Sequence, residues 1–137
     1  MTAKEELRQY KYLKDKVQET LDAYERYKTR AEKMTSIISD MPRGGKSSDK
    51  VADNAAAMAD LSRQYEELWI RAEQGKFKIE RKIYVVSEPH QTLLRKRYLQ
   101  DMNFEKIADE MGYTYNTITH MHGEALEEYK KIQDITY

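Results

Sequence analysis

Over the first forty residues, apolar or small side chains return at Tyr10, Leu13, Val17, Leu21, Tyr24, Tyr27, Ala31, Met34 and Ile38, in steps of three and four. That spacing lays one stripe along a helix and is close to a heptad, while Glu19, Asp22, Arg26 and Lys28 fill the other faces. No Gly or Pro interrupts the pattern before Pro42, so it predicts one long helix over 1–40. A second stripe runs through Val51, Ala55, Met58, Leu61, Tyr65, Leu68, Trp69, Ala72, Ile79, Ile83 and Val86, and predicts a helix over 51–86, with Gly75 a point of local weakness or bending. Between them, Met41-Pro-Arg-Gly-Gly-Lys-Ser-Ser48 is turn-rich, and Ser47, Ser48 and Asp49 are candidate N-caps for the second helix.

Two long amphipathic helices on a short link fold back most simply into an antiparallel hairpin, each arm on the order of 50 Å long at 1.5 Å per residue. A lone hairpin buries little core. The stripes therefore predict a homo-oligomer formed through the hairpin, or a docking partner for it.

After Ser87-Glu-Pro89 the pattern shortens to three helices, over about 88–100, 104–111 and 115–132, with Pro89 suited to a first turn and Asn103 and Thr114 placed as N-caps. Residues 133–137 are expected to fray. The expected architecture is all-α: a hairpin over 1–86 followed by a small three-helix domain over 87–137.

Composition narrows the function. Of 137 residues 35% are charged, with five Gly and two Pro, which agrees with long helices. No cysteine is present, so disulfides, thiolate metal sites and cysteine nucleophiles are excluded. The opening Met-Thr-Ala-Lys-Glu-Glu-Leu-Arg lacks an apolar core and does not read as a signal peptide. No apolar run approaches the roughly 18 residues that would cross a bilayer, and a soluble cytoplasmic protein is expected. Net charge is zero, and residues 87–137 hold six Lys/Arg against nine Asp/Glu. Bulk charge thus gives no support to nucleic-acid binding, and any such reading rests on local arrangement.

That arrangement lies in Phe104-Glu-Lys-Ile-Ala-Asp-Glu-Met-Gly-Tyr-Thr-Tyr-Asn-Thr-Ile-Thr-His-Met-His122. Two short helices crossing steeply need a small residue at their contact, supplied by Ala108, and a turn residue tolerant of positive φ, supplied by Gly112. Ile107, Met111, Tyr113, Ile118 and Met121 are the expected core, closed by Leu93, Leu94, Tyr98 and Leu99 of the preceding helix. Tyr115, Asn116, Thr117, Thr119 and His120 then fall on the outer face, the surface that enters the major groove in helix-turn-helix proteins. Asn reads adenine bidentately, His and Thr reach base edges or phosphates, and Tyr contacts phosphate or a thymine methyl. The helix N-terminus at Thr114 favours a phosphate, and Lys106 is a candidate phosphate contact.

The run Tyr98-Leu-Gln-Asp-Met-Asn-Phe-Glu-Lys-Ile-Ala-Asp-Glu-Met-Gly-Tyr-Thr114, with Ile118 and Gly123-Glu-Ala-Leu126, resembles the final helices of region 4 of the sigma-70 family. The whole chain is similar to phage late-gene transcriptional regulators of the ArpU and RinA kind, with Ser39-Asp-Met-Pro-Arg-Gly-Gly45 and His122-Gly-Glu-Ala-Leu126 typical of a phage subgroup from Gram-positive hosts. The resemblance implies promoter binding and control of a phage operon in the bacterial host cytoplasm. Groove-facing positions fall on Tyr115, Asn116 and His120, with a backbone contact at Thr119. Sigma factors are commonly Arg-rich at these positions, whereas this helix has no Lys or Arg before Lys130. The departure implies weak binding by one copy, which a dimer would offset.

Other signals are weaker. Gly45-Lys46-Ser47 shares its order with the end of a P-loop, but Asp40 stands where the first glycine belongs and no strand precedes it; Arg43 and Lys46 are loop cations suited to a phosphate or an acidic partner. His120 and His122 are two apart and point to different faces, unlike a metal-binding pair, and His90 is isolated. No nucleophile–base or paired-carboxylate arrangement stands out. A non-enzyme is expected, with no cofactor and no metal. The alternative to DNA binding is an adaptor that touches RNA polymerase or another protein through the same domains, and the acidic balance of 87–137 favours it.

Overall fold

The computed structural model describes residues 2–38 and 46–132, and these are all-helical, with no strand among them. The helices are α1 (Ala3–Ile38), α2 (Lys46–Val85), α3 (His90–Leu94, continued by a wide turn over Arg95–Leu99), α4 (Phe104–Met111) and α5 (Tyr115–Lys130). The expected class is therefore observed: a long helical hairpin with a small helical domain. Two expectations lie outside the described residues, the turn over 39–45 and the tail over 133–137.

The chain divides into two compact units, Lys14–Ile70 and the combination of Met1–Leu13 with Arg71–Tyr137. In the first, the two helical segments pair residue 27 with residue 54, roughly symmetric about the link, as an antiparallel pair requires. Asn54 is buried there and donates Nδ2–H to the Tyr27 carbonyl at 3.0 Å. The stripe of α1 from Val17 to Met34 is half-buried, as its spacing demands. The start of the α2 stripe differs from expectation. Val51, Ala55 and Trp69 are exposed, and the inward positions are Asn54, Met58, Leu61, Tyr65 and Leu68. Those five keep a stricter alternation of four and three than the expected set, and strict alternation is what keeps a seam facing its partner. Helix α2 already runs at Lys46, which puts Ser47, Ser48 and Asp49 inside its first turn rather than ahead of it. It also passes through Gly75 without interruption.

In the second unit the stripes are satisfied by the chain itself. Leu7 and Tyr10 of α1, Ile79 and Ile83 near the end of α2, and Val86 just after it join Leu93, Leu94, Tyr98, Ile107, Ala108, Ile118, Met121, Ala125 and Tyr129 in one core. The three short helices do not close a core alone. They are built on the first turns of α1 and the last of α2, because helices of 5, 8 and 16 residues offer too little apolar surface to stand unaided.

Two polar features fix this unit. Glu6 accepts from Lys82 Nζ at 3.0 and 3.2 Å and from the Tyr129 hydroxyl at 3.1 Å, joining α1, α2 and α5. Lys82 is only 7% exposed, and its ammonium also lies 5.3 Å from the Tyr129 ring centre. At the α2–α3 corner, Gln91 donates to the carbonyls of Tyr84 and Val86, while Glu128 accepts from the Ser87 N–H and hydroxyl. The helix expected over 88–100 is shorter and ends differently. Its last turn widens, with Gln100 N–H bonding to Arg95 O and Met102 N–H to Lys96 O, and Asp101 takes a left-handed φ of 56°. Arg97 closes that turn by donating to Met102 O at 3.0 Å while its guanidinium lies 4.4 Å from the Phe104 ring centre.

Candidate nucleic-acid interface

The segment from Asn103 to Met121 is assembled by local rules that the residues obey one by one. Asn103 is extended and its Oδ1 accepts from the Lys106 N–H at 2.8 Å, which starts α4. Gly112 ends that helix at φ 74°, and the Gly112 and Tyr113 N–H groups both return to Ala108 O. This left-handed ending places two N–H groups on the Ala108 carbonyl and reverses the chain. Thr114 then opens α5, its hydroxyl accepting from the Thr117 N–H at 3.2 Å and lying 2.8 Å from the Thr117 hydroxyl. Ala108 is 4% exposed, and Ile107 and Ile118 are fully buried. The small residue and the two apolar ones thus set how closely α4 and α5 pack.

The face this leaves outward carries Tyr115, Asn116, Thr117 and His120, all exposed. Tyr115 meets Phe104 edge to face at 6.5 Å between ring centres, which holds the phenol beside the start of α5. Thr119 is less available than the sequence suggests: it is half-buried and donates its hydroxyl to Asn116 O at 2.9 Å. Thr114 is exposed, but its hydroxyl is committed to the cap. Lys106 is exposed on α4. Of the expected core, Leu93, Leu94, Tyr98, Ile107, Ile118 and Met121 are buried and Leu99 and Met111 half-buried. Tyr113 is the correction. It is 42% exposed, because the reversal at Gly112 directs it outward, and it adds a second phenol near Tyr115 at the start of α5.

Charge around the face is mixed. His120 Nε2 lies 3.7 Å from Glu124, whose other oxygen is 3.3 Å from His90 Nε2. The sequence reading missed Glu124, although the i,i+4 spacing from His120 was there to be read. Nearby cations have internal tasks. Lys96 pairs with Glu110 at 2.8 Å, and that hydrogen bond holds the Glu110 carboxyl below its usual range. The Glu128 carboxyl is likewise lowered, by hydrogen bonds from Ser87 and then His90. The groups of the outward face are therefore polar hydrogen-bonding side chains and aromatic rings, suited to reading base edges more than to a generic hold on phosphate.

His122, two residues from His120, points inward and is 9% exposed. Its Nε2 lies 2.7 Å from the Tyr98 hydroxyl, and its ring packs edge-on to Phe104 at 4.9 Å. Among the described residues no group of three or more His, Cys, Asp or Glu is placed to hold a metal ion, and no helix is long and apolar enough to cross a membrane. Comparison with protein-family models, curated proteins and solved structures finds no match to this chain.

Proposed function

We propose that this chain is a non-enzymatic, sequence-specific DNA-binding transcriptional regulator of a phage late operon, acting in the host cytoplasm as a homo-oligomer. The observation that carries the reading is the α4–turn–α5 unit. It has caps at both helix starts, a left-handed Gly112 between them, and an outward face of Tyr115, Asn116, Thr117 and His120 on a helix held by Ile118. A helix presented in this way fits the roughly 12 Å width of the major groove, and the exposed polar groups at its N-terminal end are those that reach base edges. Lys106 serves as a phosphate contact. With no Lys or Arg on α5 before Lys130, one copy binds weakly, and two linked copies supply the affinity.

A second reading has its own support. Glu124 beside His120 and the acidic balance of residues 87–137 favour an adaptor that meets RNA polymerase or another protein. Selection from a random duplex pool at low salt separates the two. Enrichment of a defined sequence, confirmed by gel shift on that duplex and on late-promoter DNA, is the expected result. Recovery of no preferred sequence overturns the DNA reading in favour of the adaptor.

A further inference from the structure

The inward face of α2 near its C-terminus is spent on the core through Ile79, Ile83 and Val86. The opposite face is also apolar, and the fold leaves it uncovered. Phe77 is 62% exposed, Tyr84 75% and Val85 60%. Together with Glu80, Arg81, Arg95 and Leu99 they line a shallow groove. Phe77 and Tyr84 are seven residues apart, two helical turns, with Glu80 and Arg81 on the same face between them. The Arg81 guanidinium lies 5.2 Å from the Phe77 ring centre, which keeps the ring at the surface with a cation beside it.

We propose that this face is where two copies of the chain meet, α2 against α2, antiparallel about a two-fold axis passing between Glu80 and Arg81. The argument is self-complementarity. A two-fold interface must match itself, so each residue faces the one equally far on the other side of the axis. With the axis between 80 and 81, Phe77 faces the second copy's Tyr84 and Glu80 faces its Arg81, and each pairing occurs twice. An axis through Arg81 itself would set like charges against each other, and charge complementarity therefore selects the register. The two ion pairs lie next to the axis and fix orientation more than affinity. The two aromatic pairs lie about one helical turn to either side of them and contribute most to association.

This deepens the homo-oligomer part of the proposed function and rests on it, though not on DNA binding. It also assigns the oligomer a different surface from the stripes, which are used within the chain.

The test is the mass of the full chain without DNA, by sedimentation equilibrium from about 1 to 100 μM. The wild type is expected to be dimeric at tens of micromolar. Glu80→Arg places Arg against Arg twice and is expected to weaken the dimer about tenfold or more, while Glu80→Arg combined with Arg81→Glu restores it to within about threefold. Tyr84→Lys removes both aromatic pairs and leaves a monomer. Glu80 and Tyr84 are exposed and Arg81 is half-buried, and circular dichroism confirms that the helices are kept. A wild-type monomer throughout the range overturns both this interface and the homo-oligomer. A wild-type dimer indifferent to Glu80→Arg and Tyr84→Lys overturns this face alone. Failure of the charge swap to restore the dimer overturns the register.

Discussion

The Tyr98 hydroxyl and His122 Nε2 lie 2.7 Å apart inside the C-terminal helices, with the two rings stacked at 5.7 Å between centres. The pair joins the widened end of α3 to the middle of α5. Burial pushes the Tyr98 phenol above its ordinary value, so it stays protonated. Burial first, and then the positive charges of Lys4, Arg97 and Arg8, push the His122 imidazole down to about 4. A neutral imidazole inside the core is thus part of the folded state.

Stability should depend on pH through His122. Unfolded, the imidazole protonates near pH 6.5, whereas folded it resists protonation to about 4. Between those values the unfolded chain binds the extra proton, so stability is complete above about pH 6.5 and declines as pH falls towards 4. Glu110 and Glu128, whose folded values are lowered, add a smaller loss at the acid end of this window, where their unfolded carboxyls begin to protonate. Urea unfolding at pH 7 and 4.5 should differ by roughly 2 kcal/mol, and His122→Phe should flatten most of that difference. Equal pH dependence in the variant would remove His122 as the cause.

The carboxylate of Glu6 pairs with a nearly buried ammonium. Glu6→Ala removes that pairing from Lys82 and should cost about 3 kcal/mol, as removal of one partner of a buried pair does. Replacing both, as Glu6→Leu with Lys82→Met, should recover most of the loss. Chemical denaturation of the single and double variants gives the answer, and a single variant within 0.5 kcal/mol of wild type (about the noise of a neutral surface change) would contradict it.

At Gly112 the space for a Cβ is open, with no atom within 4 Å, and only the φ of 74° opposes a side chain. Gly112→Ala should therefore cost about 1–2 kcal/mol, the strain of a left-handed residue without any clash. Gly112→Asn should cost less, since Asn tolerates that region. Thermal unfolding of the two variants tests the order.

On DNA, Asn116→Ala should cost about 1–3 kcal/mol on a selected sequence and little on random duplex. Lys106→Ala should weaken both alike and reduce the salt slope by about one. His120→Gln should also weaken binding to the selected sequence and change little on random duplex, because it removes an imidazole from the outward face. Fluorescence anisotropy at several salt concentrations separates the three. Wild-type binding by Asn116→Ala and His120→Gln would end the assignment of this face.

Features set by neighbours in the chain were legible in the sequence. Asn103 and Thr114 cap α4 and α5, and Gly112 makes the left-handed turn, because each needs only its own side chain and backbone within a few residues. The stripe of α1 and the outward placement of Tyr115, Asn116 and His120 follow from helical periodicity in the same way. The tertiary structure decided what periodicity leaves open. A helix repeats every 3.6 residues and a seam every 3.5, so two adjoining stripes compete for each face of α2. Pairing with α1 chose Asn54 over Val51 and Ala55. It also left Phe77 and Tyr84 outside, buried Leu7, and brought Glu6, Lys82 and Tyr129 together from three helices. Whether a charged or aromatic residue lies inside depends on what it meets there, and that partner is set by packing between segments as many as 123 residues apart.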